Sequence, residues 1–333
     1  MNDGTAEGMD GGAPPPTDES ASLDWHRVEP RTARARAAFG ALRLARPAQL
    51  IWLDVCLSLA IFVGVSGHMP GWHYMWFVLA AVLADAGACT LNDIGDLDTD
   101  RASTESNRSG RPLVRGHVCR RAAWAQGILL SAAGLAIAAW LSPWILVCAV
   151  ALVVISYQYS FPPLHMNARP YLPQVFWFTF GILYLLAVCA YVVRYDVLMD
   201  GLLFRAGAFI LGVQVFAALG ETLAKDLRDI DNDRLAGKVT TSVLLGPVRA
   251  ARYALYLSFV GLAVWLFAVI VLYGNWGLVA LVMLATAVVW SIICFRIVDD
   301  LCASYSKASA RKLHLGFISV FALQLVLSML SFV

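Results

Sequence analysis

"LNDIGDLDTD" (residues 91–100) closes one long apolar run and opens a polar stretch. Four carboxylates, Asp93, Asp96, Asp98 and Asp100, crowd into it, in a chain of which only 14% is charged. Like charges repel, and carboxylates beside a membrane are costly to desolvate. The stretch therefore calls for a positive partner that it does not itself contain. A second cluster, "KDLRDIDND" (225–233), echoes it more than a hundred residues later.

The apolar residues on either side decide the architecture. The chain has 333 residues and is 59% hydrophobic. Its apolar residues fall into runs of about 18–23, long enough to cross a hydrocarbon core of roughly 30 Å as helices. Nine spans are expected, near 48–68, 72–91, 122–141, 143–160, 172–193, 203–224, 250–273, 276–297 and 312–332. The fold class is thus an all-α integral membrane protein. With the N-terminus cytoplasmic, every Lys and Arg but Arg194 and Arg205 falls on the cytoplasmic side. The positive-inside rule fixes the expected orientation accordingly, with the ninth span ending on the opposite side. A bacterial plasma membrane is the expected location.

Three regions follow from composition. Residues 1–32 are rich in Gly, Pro and acids and read as a disordered tail, without the basic and apolar regions of a signal peptide. Residues 33–47, which include "ARARAAFGALRLAR", read as a basic juxtamembrane segment, either an amphipathic helix on an anionic leaflet or a plain positive flank. Residues 48–333 form one membrane domain, because no polar linker divides the spans. The seven cysteines are scattered without a CxxC pair, so neither a disulfide framework nor a zinc site is expected. The lipid bilayer is an expected partner and nucleic acid is not; the oligomeric state is not legible.

The two acidic clusters follow the second and sixth spans, on one side of the membrane. An EF-hand is excluded by spacing, since Gly at the sixth position and Glu at the twelfth are missing from both. Asn92, Asp96 and Asp100 recur every four residues, as do Asp229 and Asp233. On a helical segment such residues share a face. Oxygen ligands of this kind suit Mg²⁺, which usually bridges protein carboxylates to substrate phosphates. Two facing clusters would hold magnesium around a diphosphate. Arg108, Arg111 and Arg115 follow the first cluster, and Arg169, Lys225 and Arg228 border the same side. Arg forks pair bidentately with phosphate oxygens, although positive-inside residues also arise without a catalytic demand.

These residues carry a resemblance. "NDIGDLDTD" resembles the NDxxDxxxD motif of UbiA-type intramembrane prenyltransferases, and "DIDND" (229–233) their second DxxxD motif. "RLAGKVTTSVLLG" (234–246), "RPLVRG" (111–116) and "YSFPPL" (159–164) are similar to further family segments. The resemblance implies a central cavity capped by two acidic loops. It implies Mg²⁺ held by Asn92, Asp96, Asp100, Asp229 and Asp233, with Asp93 as a supporting acid. Arg108, Arg111, Arg169 and Lys225 would grip a prenyl diphosphate, and Tyr159 would face the allylic cation, which attacks a small, aromatic acceptor. Where family members carry Lys after the Pro-Pro pair this chain has Asn167, a place that Arg169 would fill.

Asp54 and Asp85 lie deeper, inside the first and second spans. Intramembrane carboxylates are candidates for function, here orienting an acceptor or taking its proton, or for a hydrogen bond to a neighbouring helix. Two alternatives stay open. A membrane terpene cyclase of the same superfamily would share the metal site and need no acceptor. A divalent-cation carrier would place its carboxylates near the midplane, in discontinuous helices.

Overall fold

The structure, a computed structural model, describes residues 32–103, 106–196 and 202–332, apart from the side chains of 48, 49, 51–53, 106, 107 and 202. The expected disordered tail lies, but for Thr32, outside these residues. Among them, eight helices are long and apolar enough to cross a membrane, and Asp54–Ser66 forms a shorter apolar helix. That shorter helix is the inner part of a continuous helical segment, Pro47–Leu50, Ile51–Leu57 and Ser58–Ser66, which is the first span. The second to fifth spans are Tyr74–Gly95, Arg120–Leu141, Pro143–Ser160 and Leu172–Tyr195. The sixth joins Leu202–Gln214, Val215–Glu221 and Thr222–Leu235, and the seventh joins Pro247–Phe267 and Ala268–Leu272. Leu278–Ala303 and Lys307–Phe332 complete the nine.

The spans turn their apolar side chains both ways, as a lipid-embedded bundle must. Trp144 and Leu278 are 71% and 76% exposed on the outside. Inside, Phe62, Tyr74, Phe77, Phe180 and Tyr184 form one core, and Phe216, Trp290 and Phe317 belong to another. In lipid, burial of apolar surface does not drive helices together; close backbone approach through small residues does. The two acid-bearing spans both use this device. A Cβ on Gly87 of the second span would lie 2.7 Å from the Gly127 carbonyl of the third. One on Gly261 of the seventh would lie 2.3 Å from the Phe216 amide nitrogen of the sixth.

The sequence placed both acidic clusters in loops; the structure winds them as helix. The second span runs through Asn92 to Gly95, and after Asp96 the chain resumes helix over Leu97–Ala102. The sixth span carries its whole cluster, ending at Leu235. The apolar period stops before the clusters, but helical hydrogen bonding does not, because arginines and a lysine from elsewhere neutralise the acids. The basic segment near the N-terminus is a helix, Ala33–Leu44, whose first turn is capped by the Thr32 hydroxyl. It docks on protein: Leu44 packs with Leu91, Leu113 and Val118, and Gln126 donates to the Ala41 carbonyl at 2.8 Å.

Candidate active site

Two helix ends make the site. At the end of the second span, the i, i+4 spacing puts Asn92 and Asp96 on one face, where the Asn92 amide donates to Asp96 Oδ2 at 3.2 Å. Gly95, inside the motif, lets this turn press against the end of the fourth span. A Cβ there would sit 2.9 Å from the Ser160 carbonyl oxygen, and the approach brings the Ser160 hydroxyl to Asn92 Oδ1 at 3.0 Å. Asp96 Oδ1 accepts from Asn167 at 3.0 Å and from Lys238 at 3.0 Å. Burial pushes the Asp96 carboxyl up, but Lys238 and Arg111 outweigh it and hold it below the usual carboxylate range.

Asp100 lies behind this wall. It is buried and bonded to Arg111 at 2.6 Å, while its Oδ1 has no hydrogen-bond partner. Burial, only partly countered by Arg111, pushes its carboxyl up to about 6. Asp93, also buried, accepts from Arg111 at 3.2 Å and from Arg46. Asp98 is merely solvated, its side chain 99% exposed and near Arg101 alone at 3.7 Å.

Across the cavity the sixth span presents Asp229 and Asp233. Arg228 grips Asp229 with both arms, at 3.0 and 3.1 Å. Arg228 is backed by a chain that reaches the ninth span: its Nη1 faces His314 Nδ1 at 3.4 Å, and His314 Nε2 meets Glu221 at 2.7 Å. If the arginine donates to Nδ1, the imidazole proton is on Nε2 and points at Glu221. Arg108 joins the two clusters. Its Nη2 is 3.0 Å from Asp229 and its Nη1 is 3.9 Å from Asp100.

All of this surrounds a cavity of about 580 Å³. Asn92, Asp96, Asp229 and Asp233 line it, with Arg108, Arg111, Lys225, Lys238 and Tyr159. Beyond them its wall turns apolar, with Leu57, Phe176, Trp177, Val213 and Phe321. The Tyr159 ring lies 4.4 Å from that of Phe176. Asp85 lines both this cavity and a narrower pocket farther in, where Asp54 lies. The site's cation-to-acid pairing shows what it can do: basic side chains poised on carboxylates can transfer to the oxygens of an anionic ligand.

Of the residues expected to hold the metal or the diphosphate, Asp100 stays behind the cavity wall and Arg169 is not brought to the cavity. Arg169 is exposed and donates to the Pro163 carbonyl at 3.1 Å, its backbone turned outward after the Pro-Pro segment. Lys238 occupies the place instead, and sequence reasoning missed it. The signal was present, since it is the Lys of the "RLAGKVTTSVLLG" stretch. Arg46, Ser160 and His314 were also missed; Ser160 belongs to the "YSFPPL" segment, while nothing local marks His314 or the role of Arg46. Lys238→Ala is expected to weaken binding of geranyl diphosphate by about 10-fold or more, the worth of a charge-assisted hydrogen bond. Arg169→Ala is expected to leave it unchanged; isothermal titration with both variants measures the difference.

Comparison with known proteins places the chain in a family and a fold. The profile of the UbiA prenyltransferase family matches residues 54–321, and the chain belongs to that family. It is 26% identical over 210 residues to the digeranylgeranylglyceryl phosphate synthase of Thermococcus kodakarensis, covering 63% of this chain and 70% of the relative. It is 28% identical over 247 residues to the 4-hydroxybenzoate octaprenyltransferase of Acidovorax ebreus, covering 72% and 79%. In fold it is similar to a UbiA homolog from Archaeoglobus fulgidus bound to GPP and Mg²⁺, at a TM-score of 0.63 and 22% identity, over 88% of this chain and 99% of that one. The apo UbiA homolog from Aeropyrum pernix K1 gives a TM-score of 0.62 over 83% and 97%.

Proposed function

We propose that this chain, as a prenyltransferase of the UbiA family, moves a prenyl group from an isoprenoid diphosphate to an aromatic acceptor with the help of Mg²⁺. One observation carries the reading. Asn92 and Asp96 at the end of the second span face Asp229 and Asp233 of the sixth across one cavity, and Arg108 and Arg111, with Lys238, stand among them within reach of a diphosphate. That suits magnesium, which takes one or two carboxylates and completes its octahedron with water and phosphate.

Asn92 and Asp96 on one side, and Asp229 and Asp233 on the other, line the cavity and would hold the metal, while Asp100 behind Asp96 fixes Arg111. Bound there, Mg²⁺ neutralises the charge that the diphosphate gains as it leaves. Arg108, Arg111, Lys225 and Lys238 bind the diphosphate oxygens and set the orientation of the donor. The apolar wall from Leu57 to Phe321 accepts the prenyl tail and excludes the water that would quench an allylic cation. The Tyr159 ring, packed on Phe176, offers its π-face to that cation. The asymmetry of Lys and Arg along the chain supports an acidic face on the cytoplasmic side.

The test is incubation of the purified, full-length protein with geranyl diphosphate, with and without Mg²⁺ and a phenolic acceptor, reading diphosphate release and product mass. Release of diphosphate that requires Mg²⁺, with a prenylated phenol as product, is the expected outcome. A cyclic hydrocarbon formed without acceptor would replace transfer by cyclisation. Absence of any diphosphate release would remove the reading altogether.

A further inference from the structure

The mechanism so far uses only one arm of the interior. A second arm leaves the diphosphate cavity between the first five spans, and Asp85, Ala88, Ser156 and Phe180 form walls of both. Ala80, Ala84 and Ala88, four apart on one face of the second span, make one side of it low and flat. Phe77, Phe180 and Tyr184 supply aromatic faces, with the Phe180 and Tyr184 rings stacked at 5.8 Å.

Two carboxylates lie in this apolar slot. Asp54 is fully buried; its Oδ1 accepts from the Tyr184 hydroxyl at 3.1 Å, and its Oδ2 has no protein hydrogen-bond partner. Asp85 Oδ2 is likewise buried without a protein partner. The first span widens into a π-helical winding over Ile51–Leu57, centred on Asp54, a local geometry that recurs at functional sites. No Lys or Arg is among the described residues lining the slot.

We propose that this slot binds the acceptor, that the acceptor is an uncharged, hydroxylated aromatic, and that Asp85 receives its proton. The proposal rests on the prenyltransferase reading above and adds the substrate class. A prenyl tail has nothing to offer two orphaned carboxylate oxygens, whereas O–H groups satisfy them. An anionic acceptor would bring a further negative charge beside Asp85 into a low-dielectric slot, while Arg46 in the adjoining cavity is already bonded to Asp93. The alanine side and the aromatic walls favour a flat ring. In the transfer, the allylic C–O bond breaks and its electron pair leaves on the diphosphate. A ring carbon or hydroxyl oxygen of the acceptor forms the new bond with its own pair. The proton displaced from that atom passes to a carboxylate oxygen of Asp85, which stands where the two arms meet.

Hydroquinone and 4-hydroxybenzoate form a matched pair of probes, one neutral and one anionic. In the full-length protein, dicyclohexylcarbodiimide, which modifies protonated carboxyls in apolar surroundings, is expected to label Asp54, the fully buried carboxyl, while Asp85, the proton acceptor, stays ionised. Hydroquinone is expected to suppress the labelling, and 4-hydroxybenzoate is not. This experiment needs no prenyl diphosphate, so its result is independent of whether the donor reading holds. With geranyl diphosphate and Mg²⁺, hydroquinone is expected to be prenylated in preference. Asp85→Asn, which preserves shape, is expected to lower kcat about 100-fold, the usual worth of a positioned base, with the KM for geranyl diphosphate unchanged. Asp54→Asn is expected to raise the KM for hydroquinone. Absence of labelling at Asp54, equal protection by the two probes, preference for 4-hydroxybenzoate, diphosphate release with neither probe prenylated, or an unchanged kcat in Asp85→Asn would each overturn the assignment.

Discussion

Asp96→Asn and Asp229→Asn are each expected to cut the rate of diphosphate release from geranyl diphosphate by about 10²–10³, with the helical content unchanged by circular dichroism. Asparagine keeps the size of the side chain and much of its hydrogen bonding, so the packing survives while the charge disappears. The reason for a large effect differs between the two. Asp96 stands at the cavity wall with one oxygen shared by Lys238 and Asn167 and the other by Asn92. Removing its charge frees Lys238 from its partner and leaves that side of the cavity with amide oxygens alone. Asp229 holds Arg228 by two bonds and Arg108 by a third, so its change to asparagine weakens the anchoring of two guanidinium groups at once. Asp98→Asn is the control within the same motif. Its side chain is almost fully exposed and is expected to leave the rate unchanged.

Gly261→Ala is expected to destabilise the protein by about 3 kcal/mol, at the upper end for overpacking, seen as a lower thermal midpoint and a lower yield of monodisperse protein. The added Cβ would lie 2.3 Å from the Phe216 nitrogen, 2.7 Å from its Cα and 2.9 Å from the Gly212 carbonyl. Every one of these is a backbone atom, so no side-chain rotation relieves the contact and the sixth and seventh spans must part. The same contact positions catalysis, because the sixth span carries Phe216 in the core and Asp229 four turns on. Gly207, on the same sixth span, meets nothing within 4 Å of a built Cβ. Gly207→Ala is therefore expected to be neutral, which separates a packing effect from the general cost of replacing a glycine.

The span count and the identity of the helix faces were legible because they depend on local periodicity alone. Apolar runs of membrane length mark the helices, and the four-residue recurrence of Asn92, Asp96 and Asp100 marks a face wherever the chain is helical. The extent of those helices was less legible. The apolar pattern ends at residues 91 and 224, yet the helices continue through the acids. What sustains them is charge supplied by Arg46, Arg108, Arg111 and Lys238, which no local window contains.

What the sequence determined by itself is therefore a nine-span helical protein with two acidic clusters that follow the second and sixth apolar runs. Only the tertiary structure decided which side chains complete the site. It turned Arg169 outward onto Pro163 and brought Lys238 in, set Asp100 behind Arg111, and linked His314 of the ninth span to Arg228 of the sixth. It also joined Asp85 to both arms of the interior, which a position in the second span could not reveal. The physical reason is the range of the forces involved. Helical period is set by backbone geometry within a few residues, whereas the meeting of two helix faces depends on where glycine contacts such as Gly87 on Gly127 and Gly261 on Phe216 let backbones approach.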